Sequence, residues 1–136
     1  MADELGFEVR LSQPYHEALK LTINALKAEG FGVLTSIDVK ATMKEKLDID
    51  FRSYSILGAC NPHLAQRILT QDAAGGLVLP CNVTVEEASD NTSTVRIANP
   101  RLILGVDPLR ENAEIQAVSD EARDKLLLVV KRLKTA

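Results

Sequence analysis

The sequence predicts a two-layer α+β fold: a curved, mostly antiparallel sheet with two long helices on one face, in the order β-α-β4-α, plus two short inserted helices. Two kinds of periodicity support this prediction. Apolar residues occupy every second position over 5–11 and 77–85, as in strands that bury one side. They recur at three- and four-residue spacing over 14–29 and from Ile115 to Leu133, as in helices that bury one face.

The first half of the chain alternates strands with helices. The helix predicted at 14–29 begins at a proline and ends before a glycine, two common boundary signals. Strands are predicted at 32–39 and 51–60. Between them, Thr42-Met43-Lys44-Glu45 matches a capping box, which predicts a helix of one or two turns near 43–47.

A short helix and a strand follow. Asn61 is a good N-cap and Pro62 suits a first helical position, which predicts a helix at about 62–70. Residues 72–76 are turn material with two adjacent glycines, and they precede the strand predicted at 77–85.

The next segment contains the last strand. Asp90-Asn91 predicts a hairpin turn into a strand at 92–98. The apolar segment 102–106 lies between two prolines and is compatible with a strand or with a packed loop.

Composition restricts the class of protein. The 136 residues, of which 46% are hydrophobic, predict one domain spanning 1–136. A formal net charge of −3 and an aromatic content of 4% argue against nucleic acid as a partner, because phosphate binding and base stacking need basic and aromatic side chains. The N-terminus lacks the features of a signal peptide and no apolar run is long enough to span a membrane, so we expect a cytoplasmic protein without membrane contact.

Two motifs, Cys60-Asn61-Pro62 and Pro80-Cys81-Asn82, contain the only two cysteines. Cys60 precedes a predicted helix N-terminus, which can lower the pKa of a thiol and favour a nucleophile or a soft-metal ligand. His63 is a candidate base or third metal ligand beside it. The alternative is that Cys60 fills a tight strand-to-helix junction and His63 is a solvated surface residue.

The second motif has the same two interpretations. Cys81 shares the apolar face of its strand with Leu79 and Val83, as a core residue would. Pro80 cannot donate a ladder hydrogen bond, which predicts an edge strand or a bulge, and Asn82 should point to the opposite face. If the strands bearing Cys60 and Cys81 are neighbours, the two thiols could meet beside a pocket.

The segment Tyr54-Ser55-Ile56-Leu57-Gly58-Ala59-Cys60-Asn61-Pro62, with Gly76-Leu77-Val78-Leu79-Pro80-Cys81-Asn82-Val83-Thr84-Val85, resembles the uncharacterised family catalogued as domain of unknown function 302. Ala65 and Leu69, and the preceding Thr42, Glu45, Lys46 and Leu47, also fit. The resemblance implies a β-α-β4-α fold similar to one half of the TATA-box-binding-protein fold, assembled as a homodimer. It implies no activity, cofactor or catalytic residue.

Three functional hypotheses follow. The first is a dimeric module that binds a small molecule or a thiophilic metal near Cys60, Asn61, Cys81 and Asn82, with Cys60, Cys81 and His63 as candidate metal ligands. The second is a thiol-dependent enzyme or redox switch that uses Cys60, and the third is a purely structural or interaction domain. A surplus of apolar residues on the last helix, Leu127, Leu128 and Val130, indicates either deep burial or a dimer surface, and the free edge of the sheet is the other dimer candidate.

Overall fold

The structure, a computed structural model, describes residues 4–136. Its strands are β1 (Gly6–Leu11), β2 (Gly32–Asp38), β3 (Tyr54–Cys60), β4 (Cys81–Glu87) and β5 (Ser93–Ala98). Its helices are α1 (Tyr15–Ala28), α2 (Val39–Leu47), α3 (Pro62–Gln71), α4 (Pro100–Ile103) and α5 (Ala113–Lys134), with short 3-10 turns at Ala73–Val78, Ser89–Asn91 and Leu109–Glu111. The predicted fold class is confirmed.

The strands form one antiparallel sheet in the order β1-β5-β4-β3-β2. The four strands β2 to β5 therefore lie side by side in chain order, while β1 pairs with β5, with Gly6 opposite Ala98. This order makes β4 the central strand, so the second cysteine motif enters the middle of the sheet.

The helices α1 and α5 cover one face of the sheet and contact each other. The core lies between these layers, where the alternating residues of the central strands are fully buried. These residues are Val83, Val85, Val95 and Ile97, packed with Leu26 and Leu126 from the two helices. The other face of the sheet, which we call the open face, presents the intervening residues of the same strands. It carries the polar positions that the alternation predicted.

The fourth strand is shorter than its prediction. It begins at Cys81, and residues Ala73–Val78 instead form a 3-10 helix that Asp72 caps by accepting from the Ala74 N–H at 2.9 Å. Leu77, predicted on the buried face, is 89% exposed. The reason is Pro80, which has no N–H to donate and lies where the pairing with β3 ends, at Cys81 opposite Ala59.

Two further boundaries differ from prediction. The helix near 43–47 begins at Val39, because Asp38 rather than Thr42 is its N-cap and accepts from the Ala41 N–H at 2.9 Å. The segment 102–106 is neither strand nor packed loop throughout, since Asn99 caps the single-turn helix α4 that occupies its start.

The hairpin turn is where the sequence predicts it. Asp90 and Asn91 both have positive φ, 59° and 57°, as a tight connection between antiparallel strands requires. Across residues 4–136, no helix has both the length and the apolar content of a bilayer-crossing segment.

Candidate functional site

The first motif forms the junction between β3 and α3. The Asn61 Oδ1 atom accepts from the backbone N–H groups of His63 at 3.1 Å and Leu64 at 3.3 Å, and Pro62 occupies the first helical position. On its other side Asn61 packs against Gly30, which has φ +87° and where a Cβ would lie 2.9 Å from Asn61 Nδ2. Asn61 therefore caps a helix and supports the turn before β2, which accounts for its type without a ligand.

The second motif turns the chain into the central strand. Pro80 precedes β4, so no ladder hydrogen bond is lost and the predicted edge position or bulge is not needed. The irregularity of the sheet lies elsewhere, between Val33 and Thr35 of β2. The Pro80 ring covers Gly58 of β3, where a Cβ would lie 2.8 Å from Pro80 Cγ. Thr35 Oγ1 of β2 would lie closer still, so both neighbouring strands leave room only for a glycine at this position of β3.

The two cysteines lie on neighbouring strands. Cys81 is directly opposite Ala59, the residue before Cys60. Both cysteines line the same small cavity of about 20 Å³, which is room for about one water molecule. The rest of its lining is apolar apart from Asn61: Phe31, Ala59, Leu64, Ala65, Ile68, Leu79, Leu104, Val118 and Ala122. The structure therefore brings Cys60 and Cys81 together, but around a cavity too small for an organic ligand.

Electrostatics do not activate either thiol. Burial raises the pKa of Cys81 to about 11, and the negative charge of an ionised Cys60 contributes in the same direction. Burial also raises the pKa of Cys60, the opposite of the lowering expected at a helix N-terminus. Desolvation disfavours a thiolate at this junction. Both groups are protonated at neutral pH, so neither is prepared to act as a nucleophile.

His63 lies apart from this cavity lining. Its side chain is exposed on the first turn of α3. Within the part of the chain that the structure describes, no three His, Cys, Asp or Glu side chains form a group that could hold a metal ion. Cys60 and Cys81 are therefore not joined by His63 in a three-ligand set.

Asn82 occupies a different environment from the cysteine beside it. It is exposed on the open face, and its side-chain amide makes no hydrogen bond to any residue from 4 to 136. It lines two grooves. The smaller, of about 320 Å³, is lined by Leu77, Val78, Leu79, Pro80, Cys81, Asn82, Ala98 and Ile103.

The larger groove, of about 510 Å³, extends from Asn82 across β4, β5 and β1. Its lining comprises Glu4, Leu5, Gly6, Phe7, Glu8, Tyr54, Asn82, Thr84, Arg96, Ile97, Ala98 and Ile103. Asn82, Ala98 and Ile103 line both grooves, so the two grooves adjoin, and we call them together the trough. Cys81 lines both the smaller groove and the small cavity that it shares with Cys60.

Thr84 lies in the larger groove, two residues from Asn82 on the same face. Its Oγ1 atom is buried and has no hydrogen-bond partner among residues 4–136. A buried hydroxyl normally has a partner, because leaving it unpaired is unfavourable by about 1–3 kcal/mol. Asn82 and Thr84 thus place two uncharged polar groups without protein partners on the same face of β4, the amide exposed and the hydroxyl buried.

Charged side chains beside these two residues are already paired. Glu86 is almost buried and accepts from Arg52 Nε at 2.6 Å and from Arg96 Nη1. Arg96 also donates through Nε to Glu8 at 3.1 Å. Burial opposes the ionisation of Glu86, but the hydrogen bonds from Arg96 and Arg52 outweigh it and hold the pKa of Glu86 below its ordinary value. Tyr54 adjoins this network, with the Arg52 guanidinium 5.6 Å from its ring centroid.

Sequence reasoning identified Asn82 but missed Thr84, Tyr54 and Arg96. The available signal was the alternation in β4, which puts Asn82, Thr84 and Glu86 on one face. The alternation does not show which strands are neighbours in the sheet, so it cannot show which polar residues lie next to each other.

These observations first define a class: a two-layer α+β domain whose open sheet face carries a trough with unpaired polar groups. The chain belongs to the DUF302 family, because the family's sequence model, a domain of unknown function, matches residues 7–133. It is similar in structure to an uncharacterized conserved protein DUF302 from Bacillus stearothermophilus, with a TM-score of 0.83 and 26% sequence identity over 96% of this chain and 99% of that one. No curated protein matches the sequence.

Proposed function

We propose that this chain is a binding module for a small organic molecule, and that its site is the trough on the open face centred on Asn82. The observation that carries the proposal is the unpaired Asn82 amide at the point where grooves of about 320 and 510 Å³ join. Together they have the size of ordinary ligand sites, which combine apolar walls with a few polar groups that orient the ligand. Asn82 supplies such a group.

The cysteines have a supporting position in this proposal. The small cavity lined by Cys60 and Cys81 has room for about one water, so the ligand contacts Cys81 from the smaller groove. A raised pKa for both thiols argues against an enzyme that uses Cys60 as its nucleophile. A thiophilic metal would have to displace both protons and recruit ligands beyond the two thiols.

The proposal is tested by a fragment screen that follows the melting temperature and the backbone amide signals in NMR. A fragment that binds in the trough raises the melting temperature and shifts the signals of Asn82 and Ala98. Asn82→Ala should abolish the effect while retaining the fold. Asn24→Ala is the matched control, because Asn24 is exposed on α1, in the helical layer on the other face of the sheet.

Two results would contradict the proposal. One is a broad screen in which no fragment shifts a trough signal. The other is a set of binders whose effects persist in Asn82→Ala. A Zn²⁺ titration that raises the melting temperature of the wild type, but not of Cys81→Ala, would instead favour the thiophilic-metal hypothesis.

We further propose that the module is a homodimer paired through β2 and α2. Every residue of β2 except Val33 is exposed, and α2 has no buried residue. Exposed apolar side chains accumulate in this region: Leu34, Ile37, Leu47 and Ile49. One edge of β2 is unpaired, and antiparallel pairing of two β2 strands about a two-fold axis would close it.

The other dimer candidate, the surplus of apolar residues on α5, has less support. Val130 is buried within the protomer, Leu127 is half-buried and only Leu128 is largely exposed. Light scattering distinguishes the two surfaces. Ile37→Lys should give a monomer, whereas Leu128→Lys, at a site with similar exposure (48% against 50%), should remain dimeric. A monomeric wild type would reject the assembly altogether.

A further inference from the structure

The trough also indicates which chemical class of molecule it accepts, and this inference rests on the proposed function. We infer that the ligand is an uncharged amphipathic molecule, with a primary amide or equivalent head group bound at Asn82 and Thr84, and an apolar chain lying along the smaller groove toward Leu77. The inference combines three features of the trough: its free polar groups, its charges and the distribution of its apolar walls.

The free polar groups are uncharged. The Asn82 amide offers both a donor and an acceptor, and the Thr84 hydroxyl can act as either. Neither has a partner among the described residues. A rotation of about 120° about χ1 of Thr84 moves its hydroxyl to the position that its methyl group now occupies, where it can meet a bound group. A head group that both donates and accepts, such as a primary amide, can satisfy the two residues together.

The charged groups disfavour a charged head group. Arg96, the cation that lines the larger groove, already donates to Glu86 and Glu8. Glu4 and Glu8 line the same groove, so an anion would meet two carboxylates and an arginine that is already paired. A cation would have to displace Arg96 from its ion pair with Glu8, or pair with Glu4, which is exposed to solvent. An uncharged head group avoids both conflicts.

The apolar part of the ligand is expected in the smaller groove. Apart from Cys81 and Asn82, the side chains that line it are apolar. Leu77, which also lines this groove, is 89% exposed and offers apolar surface to a ligand. A chain lying from Asn82 toward Leu77 covers this surface and places the head group at the entrance to the larger groove.

Three probes with the same hydrocarbon length test the inference: hexanamide, hexanoate and hexylamine, titrated separately into the ¹⁵N-labelled protein. Hexanamide should shift the signals of Asn82 and Cys81 and bind at least about tenfold more tightly than either charged probe, the scale expected when a site is built for hydrogen bonds that a competitor cannot make. In Asn82→Ala this preference should be lost. Thr84→Val keeps the side-chain shape without the hydroxyl, so it should weaken hexanamide several-fold while leaving the protein at least as stable.

The outcomes separate this inference from the function on which it rests. Tighter binding of hexanoate or hexylamine, with shifts in the same trough, would overturn the uncharged ligand class and leave the binding module standing. Unchanged hexanamide affinity in both Asn82→Ala and Thr84→Val would overturn the position of the head group. If none of the three probes shifts a trough signal, the inference is rejected, and the fragment screen decides separately whether the trough binds anything.

Discussion

The reactivity of the two thiols follows from their burial and can be estimated for Cys81. Each pH unit below the pKa lowers the thiolate fraction about tenfold, so a pKa of about 11 instead of 9.0 leaves about one hundredth of the usual thiolate at pH 7. A more basic thiolate is a better nucleophile, which recovers a factor of about six to ten at a Brønsted slope of about 0.4–0.5. Ionisation alone should therefore make Cys81 about tenfold slower to alkylate than an ordinary thiol, and burial should slow it further.

The assay is alkylation by iodoacetamide at pH 7, followed by mass spectrometry in the single-cysteine variants Cys60→Ser and Cys81→Ser. In Cys60→Ser the neighbouring thiolate is absent, so the pKa of Cys81 should be somewhat lower than in the wild type, although burial still raises it. The same variants unfolded in urea provide the reference, because both thiols then react at the ordinary rate. Cys60, which is less enclosed, should react faster than Cys81 but more slowly than the unfolded reference.

Two outcomes would refute this reasoning. Equal rates for Cys81 in the folded and unfolded protein would mean that the cavity opens freely to solvent. Alkylation of Cys60 faster than the unfolded reference would mean that the N-terminus of α3 activates the thiol after all, and would revive the hypothesis of a thiol-dependent enzyme.

Three further predictions concern stability. Glu86→Gln should destabilise the protein by about 1–3 kcal/mol at pH 7, because it removes charge-assisted hydrogen bonds from two arginines. Folding lowers the pKa of Glu86, so the difference in unfolding free energy from the wild type, measured in urea melts, should be complete above the ordinary pKa of 4.5 and shrink as the pH falls. A difference that does not change with pH would contradict this. Asn61→Ala should lose about 1–2 kcal/mol in the same melts through loss of the α3 cap, whereas Asn61→Asp retains an acceptor and most of the stability. Gly58→Ala should lose about 1–3 kcal/mol because its methyl group would clash with Thr35 and Pro80. The control is Gly32→Ala, whose methyl group meets nothing within 4 Å. Equal stability of the two variants would disprove the packing argument.

Local periodicity was sufficient to predict the fold class, because both long helices and every strand except β2 bury one face and repeat their pattern accordingly. It failed where a single residue overrides the pattern. Leu77 continues the alternation of β4, yet Pro80 ends the ladder and leaves that leucine exposed. Asp38 likewise caps α2 four residues before Thr42, the first residue of the predicted capping box, because its side chain already accepts a hydrogen bond from the first turn of the helix.

The candidate site was harder to predict because it depends on long-range pairing. The register puts Arg96 opposite both Glu8 and Thr84, on two different neighbouring strands. Nothing in the local pattern states that β5 lies between β1 and β4. The composition of the two cysteine motifs predicted a site at the cysteines. Asn61 and Pro80 instead stabilise the junctions between elements, and the side-chain amide that remains unpaired is that of Asn82.

The pairing of the first strand with the last has a consequence for biosynthesis. Gly6 can pair with Ala98 only after Ala98 has been synthesised, 92 residues later (98 minus 6), which takes roughly 5 to 20 s at about 5–20 residues per second. During that interval the amino-terminal strand has no partner, and α5, which packs against it, does not yet exist. The pairing of β1 with β5 can therefore form only late in translation. In a nascent chain stalled before residue 98, β1 would remain unpaired and could bind chaperones or other chains.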